Sequence, residues 1–590
     1  MSVKRLGLAA ICALAALFPT VASASDKSTS DKLIIDEPTF ICLGVEWYVK
    51  GDDNGNAAVE FHYRRAGDSQ WREAMPLWRV DTTSGRRPIP AGDVLFAGSI
   101  FNLEQGTKYE MKLSLKDPDG GDAEKIVTAM TRAEPLLPKN ARIRYVVPGD
   151  GGGSGTKADP FKGLKSADAA AQPGDVMQLA SGTYQGPWTV TKSGVEGRPI
   201  IWLGPSDNSA IIDGNWAERA VSAEGCNYVW YWHLSITKAE NALVAHRASY
   251  VVMRYCHVYD TSCGFVATNN PMKGNVVLDS VFEGRVAWVI DGKRTRDPNI
   301  IIHLSGKRYD ITDMNAVIVS GEGTVAAFNR MRYWGDGIHG SGDQPKVADD
   351  FYGNEISECG DDGIECDEGS QNIRCFENRM TNFLQGVSTQ PVHGGPVYVF
   401  RNALYNMSIE PFKLHNSPHG VLLINNTSVR ADIEPGPMFV WTSDPIYHIW
   451  AGNNLFVGGG DRRALEMSPP INSVSFDYNG YAGGPWTDFA KWNGKVYHTL
   501  KDFQTATKEE EHAVILPVKG LFATGVTLPE SADKMVDIAV NDLRLAGGTA
   551  AIDAGYVFPG ITDGYKGKAP DLGAYELGSE LPHYGPRLEK

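Results

Sequence analysis

Between Asn241 and His415 one short phrase recurs eight times, at intervals of 21 to 29 residues. It runs from a polar or small residue to Gly, Ala or Pro, then a large apolar residue, then alternating positions. The copies are Asn241-Ala242-Leu243-Val244, Cys263-Gly264-Phe265-Val266, Val286-Ala287-Trp288-Val289 and Asn315-Ala316-Val317-Ile318. They continue as Asp336-Gly337-Ile338-His339, Asp362-Gly363-Ile364-Glu365, Gln385-Gly386-Val387-Ser388 and Glu410-Pro411-Phe412-Lys413. A fixed period of this size marks stacked supersecondary units, none of which can bury its apolar face alone. Strand alternation sends the third position inward and the fourth and sixth outward. At the fourth position Val, Val, Val and Ile give way to His339, Glu365, Ser388 and Lys413, so scaffold changes to candidate site there.

A second period supports the same architecture. Asn329, Asn354, Asn378, Asn402, Asn426, Asn454 and Asn479 are mostly 24 or 25 residues apart. Parallel coils stack about 4.8 Å apart, so such residues predict a buried amide ladder. Asn406 and Asn425 also fit glycosylation sequons, but the ladder accounts better for this richness in Asn.

The chain has 590 residues, too many for one compact core. Lys4 and Arg5, an apolar run from Leu6 to Phe18 and the small residues Ala22-Ser23-Ala24 read as a cleaved secretory signal over residues 1–24. That run is too short to span a bilayer, so a secreted or periplasmic protein without membrane insertion is expected. The net charge of -15, about -17 without the leader, argues against nucleic acid as a partner. Seven cysteines remain after the leader, irregularly spaced and odd in number, which excludes a disulfide framework. Cys359, Cys366 and Cys375 read as small buried hydrophobes rather than a bridge.

Residues 34–134 read as a separate all-β unit. The segment Leu103 to Met111, followed by Asp117-Pro118-Asp119-Gly120-Gly121, resembles the corner and later strands of fibronectin type III sandwiches. Tyr109 would then bond back to the backbone. From Arg142 onward, Tyr145-Val146-Val147-Pro148-Gly149, Asp159-Pro160-Phe161, Gly182-Thr183-Tyr184 and Ile212-Asp213-Gly214 resemble the opening of secreted right-handed parallel β-helix proteins of the pectin-lyase-like superfamily. That resemblance covers residues 142–579 and implies an all-β fold. From about residue 480 the period fades, and Ala551 to Gly555 and Pro570 to Glu576 are expected to cap the last open strand edge.

The last four phrases stack into two outward columns: His339, Glu365, Ser388 and Lys413, and Ser341, Asp367, Gln390 and His415. Asp336, Asp361, Asp362, Gln385 and Glu410 lie at the turn before each strand. Ionisable groups of both signs on one face define a site. Four carboxylates in Asp361-Asp362-Gly363-Ile364-Glu365-Cys366-Asp367, with Asp336 one coil earlier, suit a hard cation such as Ca2+.

This arrangement resembles the calcium site and catalytic lysine of polysaccharide lyase family 9. Asp361, Asp362 and Glu365 match its Asp-Asp-Gly-x-Asp motif, Asp336 its earlier Asp, and Pro411-Phe412-Lys413 its Gly-Phe-Lys segment. Asn425-Asn426-Thr427-Ser428 resembles the family's stretch after that lysine. Glu365 stands where Asp is usual, Pro411 replaces Gly, and two coils separate Glu365 from Lys413. The resemblance implies a Ca2+-dependent lyase acting on an acidic polysaccharide, with Asp336, Asp361, Asp362 and Glu365 as ligands. Lys413 would be the base, and His339 or His415 are alternatives for that role.

Two other readings stay open. Glu365 and Asp367, about 6.5–7 Å apart at their α-carbons, suit carboxylate-pair hydrolysis, and the order Asp336, Asp361-Asp362, His393, Lys413 is loosely similar to polygalacturonase-type hydrolases. A non-catalytic carbohydrate-binding β-helix would instead present Trp334, Tyr398, Tyr405 or Trp441 to sugar rings. The Asp-Pro-His-Asp motif of β-helix uronate epimerases is absent. Gln390 and Glu410 are candidate substrate contacts. Arg294 and Arg296, in a basic stretch with Lys293, Lys307 and Arg308, are expected to bind the substrate's anionic groups.

Overall fold

In the computed structural model the described residues are 25–589, apart from 81–87, 270, 286–288, 291–292, 295–300, 305–306, 311–313, 341–345, 432–439, 443, 459–462, 533 and 538–541. At 289–290, 293–294, 301–304, 307–310 and 440–441 the backbone alone is described. The proposed leader, residues 1–24, therefore lies outside the described residues, as do Trp288, Arg296 and the side chains of Arg294 and Trp441. Among the described residues no helix is long and apolar enough to cross a membrane.

The chain is nearly all β. Two parallel sheets, one of 14 strands and one of 20, stack coil upon coil from Arg142–Val147 to Val514–Leu516 as a parallel β-helix. Each strand pairs with its counterpart one coil on, as in Glu355–Glu365 with Arg379–Ser388 and the latter with Ala403–Lys413. These long strands carry register shifts, between Cys359 and Asp362 and between Phe383 and Gln385. Such irregularities let one strand bend and serve two faces.

The interior column forms as the alternation demands. Leu243 pairs with Phe265, Phe265 with Val317, Val317 with Ile338, Ile338 with Ile364, Ile364 with Val387 and Val387 with Phe412. All seven are buried in one continuous core. The small second position has a steric cause. A Cβ on Gly337 would lie 2.6 Å from the Gly363 carbonyl oxygen, and one on Gly386 would lie 2.3 Å from that of Pro411. Adjacent coils approach too closely there for a side chain pointing along the stack.

One phrase is not a coil. His257–Ala267 pairs directly with Asn315–Val319, and of Val286-Ala287-Trp288-Val289 only the Val289 backbone is among the described residues. Val289–Ile290 instead pairs antiparallel with Lys293–Arg294, and Ile301–Leu304 with Lys307–Asp310. These hairpins belong to an insertion between Val281–Glu283 and Asn315–Val319. The eightfold repeat is thus sevenfold in space.

All seven predicted asparagines form a ladder. Each amide nitrogen from Asn329 to Asn454 donates to the next asparagine's Oδ1 at 2.9–3.1 Å. Each also donates to a backbone carbonyl, as Asn378 does to Phe351 at 2.9 Å. Each oxygen accepts a backbone N–H from the preceding coil, for example Asn354 N–H to Asn378 at 3.1 Å. Asn479 ends the series on buried Glu510, whose Oε1 also accepts from Tyr481. Every amide of the ladder is satisfied, as a dry interior requires.

Before the helix, two antiparallel four-stranded sheets enclose a separate core. The Tyr109 hydroxyl accepts the Glu104 N–H at 2.9 Å, the expected return to the backbone. This unit is docked on the outer face of the 14-stranded sheet. Phe101 packs between Tyr398 and Phe400 at 4.9 and 5.1 Å, and fully buried Arg374 reaches Ser99 Oγ at 3.2 Å.

The C-terminal segment departs from expectation. Helix Leu500–Thr507, with Phe503 in the core, covers the end of the stack. Ala551, Leu572 and Ala574 pack in one cluster with Leu516 of the last strand, but residues 551–589 as a whole run back along the coils. Tyr556 meets Asn453, Asp571 and Gly573 meet Asn425, Ile561 meets Arg401, and Gly585 meets Gly353. Arg587 then bonds Asp279 and Glu134, and Glu589 bonds His233 and Trp232. All seven described cysteines are buried free thiols.

Candidate active site

The fourth-position column is continuous. Val244 pairs with Val266, Val266 with Ile318 and Ile318 with His339; farther on, Glu365 pairs with Ser388 and Ser388 with Lys413. Val244, Val266 and Ile318 gather with Cys263 in a small apolar cluster. The next four members line an acidic recess.

Asp336, 1% exposed, is its pivot. Its Oδ1 accepts the Asp362 backbone N–H at 2.9 Å, and its Oδ2 lies 3.4 Å from His339 Nδ1. The cross-strand neighbour Asn315, with its amide turned to donate, stands 2.7 Å from that oxygen. His339 Nδ1 also contacts Glu365 Oε2. Fully buried Asp362 accepts from Lys413 Nζ at 2.8 Å through Oδ2. Its Oδ1 is buried without a hydrogen-bond partner among the described residues. The two coils between Glu365 and Lys413 in sequence are therefore bridged by the length of the lysine.

Two residue groups bring potential ligand atoms within 4.8 Å of one another: Asp336, Asp361 and Asp362, and Asp336, His339 and Glu365. Of the expected ligands, Asp336, Asp361 and Asp362 converge, whereas Glu365 groups with Asp336 and His339. Burial and mutual repulsion push Asp336, Asp361 and Glu365 up to about 7, and Asp367 up to about 8. Against burial, the Asp336 and Glu365 carboxylates raise His339 to about 10. Burial also opposes charge on Lys413, but Asp362, Asp367 and Asp361 outweigh it and hold the amine protonated well above its ordinary range. Excess negative charge and an orphaned carboxylate oxygen in a buried pocket of hard donors fit a divalent cation.

The second column is less open than expected. Asp367 accepts from Ser388 Oγ at 2.6 Å and from the Gln390 N–H at 2.7 Å. Ser341 lies outside the described residues. Glu410, expected at the substrate, is instead wholly buried; its Oε1 accepts from Gln385 Nε2 at 3.0 Å and lies 3.4 Å from His415 Nε2. His393 pairs with Glu368 at 2.5 Å rather than with the acidic groups. The aromatic candidates face other segments. Trp334 is internal and donates to the Phe282 carbonyl, Tyr398 meets the N-terminal unit, and Tyr405 donates to the Thr527 carbonyl.

One group escaped sequence reasoning altogether. Lys346, 2% exposed, has no hydrogen-bond partner for its amine among the described residues, and burial lowers its pKa against the pull of Asp367 and Glu365. It sits outside the repeated phrase, and no spacing signalled it.

Fold and site together define a parallel β-helix with a buried acidic recess, bonded by Lys413 and flanked by Lys346. No family model matches the chain. It is similar to pectate lyase L of Dickeya chrysanthemi, 22% identical over 473 residues that cover 74% of this chain and 90% of the relative. Pectate lyase L of Dickeya dadantii (strain 3937) is likewise 22% identical over 469 residues, with the same coverage. Among solved structures, pectate lyase Pel9A aligns at 20% identity and a TM-score of 0.39, covering 74% of this chain and 97% of its own. A complex of XylC with xylose aligns at 11% identity and a TM-score of 0.40, covering 74% and 98%. The fold assignment rests on the strand pairings themselves.

Proposed function

We propose that the protein is an exported polysaccharide lyase that cleaves an acidic, uronate-containing polysaccharide by β-elimination. The observation that carries this is the 2.8 Å contact between Lys413 Nζ and Asp362 Oδ2. It puts the only lysine of the outward column against the carboxylates best suited to a cation. The sequence similarity to two pectate lyases supports the same chemistry.

Asp336, Asp361 and Asp362 would hold Ca2+, with Glu365 completing the set. Such an ion would supply positive charge to neutralise the uronate carboxylate and acidify the proton on the adjacent carbon. Lys413 removes that proton as a neutral amine. Asp362 is the largest of the charges that keep the amine protonated, so engaging this carboxylate elsewhere frees the lysine to act as a base. His339, bound to Asp336 and Glu365, orients both rather than serving as the base. Arg294 and Arg296 are proposed to bind anionic groups along the substrate.

Hydrolysis is the second reading, favoured by one observation. Asp367, pushed up to about 8, carries the proton a general acid needs. Incubation with a panel of uronate-containing glycans, with and without chelator, separates the two. A lyase gives the ultraviolet absorbance of an unsaturated uronide, lost on chelation; reducing ends without that chromophore would overturn the lyase reading.

A further inference from the structure

Elimination needs two proton transfers, and Lys413 accounts for one. The departing glycosidic oxygen is a poor leaving group unless it gains a proton as the bond breaks. Resting on the lyase reading, we propose that Glu410 and His415 form a relay that delivers this proton.

The geometry sets three side chains in a row. Gln385 and Glu410 are cross-strand partners, and the Gln385 amide donates to Glu410 Oε1 at 3.0 Å. The same oxygen lies 3.4 Å from His415 Nε2. Glu410 is sealed from solvent, whereas the His415 side chain is 19% exposed. His415 lies two residues past Lys413, where the strand Ala403–Lys413 ends; Leu414 between them is in the core, which leaves His415 on the outer side with the base, whose charge acts on it. A buried proton store, a half-exposed imidazole and the base therefore stand in sequence along one edge of the recess.

The charge states suit the task. Burial pushes Glu410 up to about 8, so it is a neutral acid near pH 7. Burial and the Lys413 charge lower His415, so the ring stays neutral. Asp362, Lys413 and Arg430 act on Glu410, and Lys413, Asp444 and Asp362 on His415. Glu410 Oε2 is buried with no hydrogen-bond partner among the described residues, an arrangement an ionised carboxylate tolerates badly.

The step balances. Lys413 takes the proton from the carbon bearing the carboxyl group, and the released electron pair forms the new carbon–carbon double bond. The bond from the neighbouring carbon to oxygen breaks. The oxygen takes the proton on His415 Nδ1, while Nε2 takes the proton of Glu410. Lys413 has gained one proton, Glu410 has lost one, and the His415 proton has moved from Nδ1 to Nε2; water then protonates the accessible Nδ1 while Nε2 returns its proton to Glu410, and Lys413 gives its proton to water.

Glu410→Gln and His415→Gln test the relay with two substrates. One is a natural uronan; the other is a uronide whose leaving group is an aryloxy group, which departs without protonation. On the natural substrate kcat/KM should fall about 10²–10⁴-fold, the usual contribution of general acid catalysis, while the aryloxy substrate keeps its rate within a few-fold. Equal losses on both substrates, or no loss on either, would overturn the relay. His415→Gln, at a half-exposed position, decides the matter alone if Glu410→Gln fails to fold. A wild-type protein that forms no unsaturated product from either substrate would overturn the lyase reading and the relay with it. Failure of the relay alone leaves wild-type product formation intact.

Discussion

The asparagine ladder and the acidic recess are both rows of buried polar side chains, one per coil, yet they obey opposite rules. In the ladder each amide meets a donor and an acceptor, and the row ends on Glu510 Oε1, which accepts from Asn479 and Tyr481 and leaves only Oε2 without a partner among the described residues. In the recess Asp362 Oδ1 is unpartnered among the described residues, and four carboxyl groups are raised to about 7 or 8. A satisfied row stabilises a coil stack. A row left short of positive charge stores binding energy for what enters it. The same β-helix geometry serves both, and only the chemistry of the repeated residue differs.

Breaking each row should give a different phenotype. The largest effect is expected at the recess: Lys413→Ala should lower turnover by roughly 10³-fold or more, measured as unsaturated product, with glycan binding retained. In the ladder, Asn378→Leu strips partners from Asn354, Asn402 and the Phe351 carbonyl. It should cost about 2–4 kcal/mol, seen as a lowered urea midpoint, while activity per folded molecule stays near wild type. Divalent cation should raise the melting temperature of the wild type, and Asp362→Asn should abolish that rise; an unchanged rise would place the ion elsewhere.

pH sharpens the contrast. Asp336, Asp361, Glu365 and Asp367 bind protons more tightly folded than unfolded. Their penalty is absent below the ordinary carboxylate range near pH 4 and complete above the raised values. Cation-free protein should therefore lose stability as pH rises from about 4 to about 8, by a few degrees in a thermal melt. His339 adds to the trend, since its stabilisation is whole below its unfolded value near 6.5 and is lost through about 10. The smallest effect belongs to the ladder's end. Burial pushes Glu510 up to about 8, so Glu510→Gln, a neutral replacement of the same shape that can keep both accepted hydrogen bonds, should change stability by about 1 kcal/mol or less at neutral pH. Above pH 8 the variant should become the more stable protein.

What the sequence made legible comes down to period. The interior column and the ladder recur at one residue per coil, and spacing alone predicts their partners. His339 and Glu365 were visible because they interrupt a column of valines, and Asp336, Asp361 and Asp362 because they gather at the turns before the same strands. The failures share a cause too. Val286-Ala287-Trp288-Val289 has the local pattern of a coil, but pairing is a property of two strands, and His257–Ala267 finds Asn315–Val319 instead. The burial of Glu410 and its contact with His415 depend on a register shift inside a strand, which composition does not encode. Lys346 lies between phrases and has no counterpart one period away.

The returning C-terminal segment changes how such a stack comes apart. Coils that touch only their neighbours unfold from the ends, one at a time, with no single transition. Here Arg587 and Glu589, close to the terminus, are fastened to Asp279 and His233, near the opposite end of the stack from the strands they come after. Fraying the final coils therefore pulls on the early ones, and the array behaves less as a zipper than as a loop closed by a buckle.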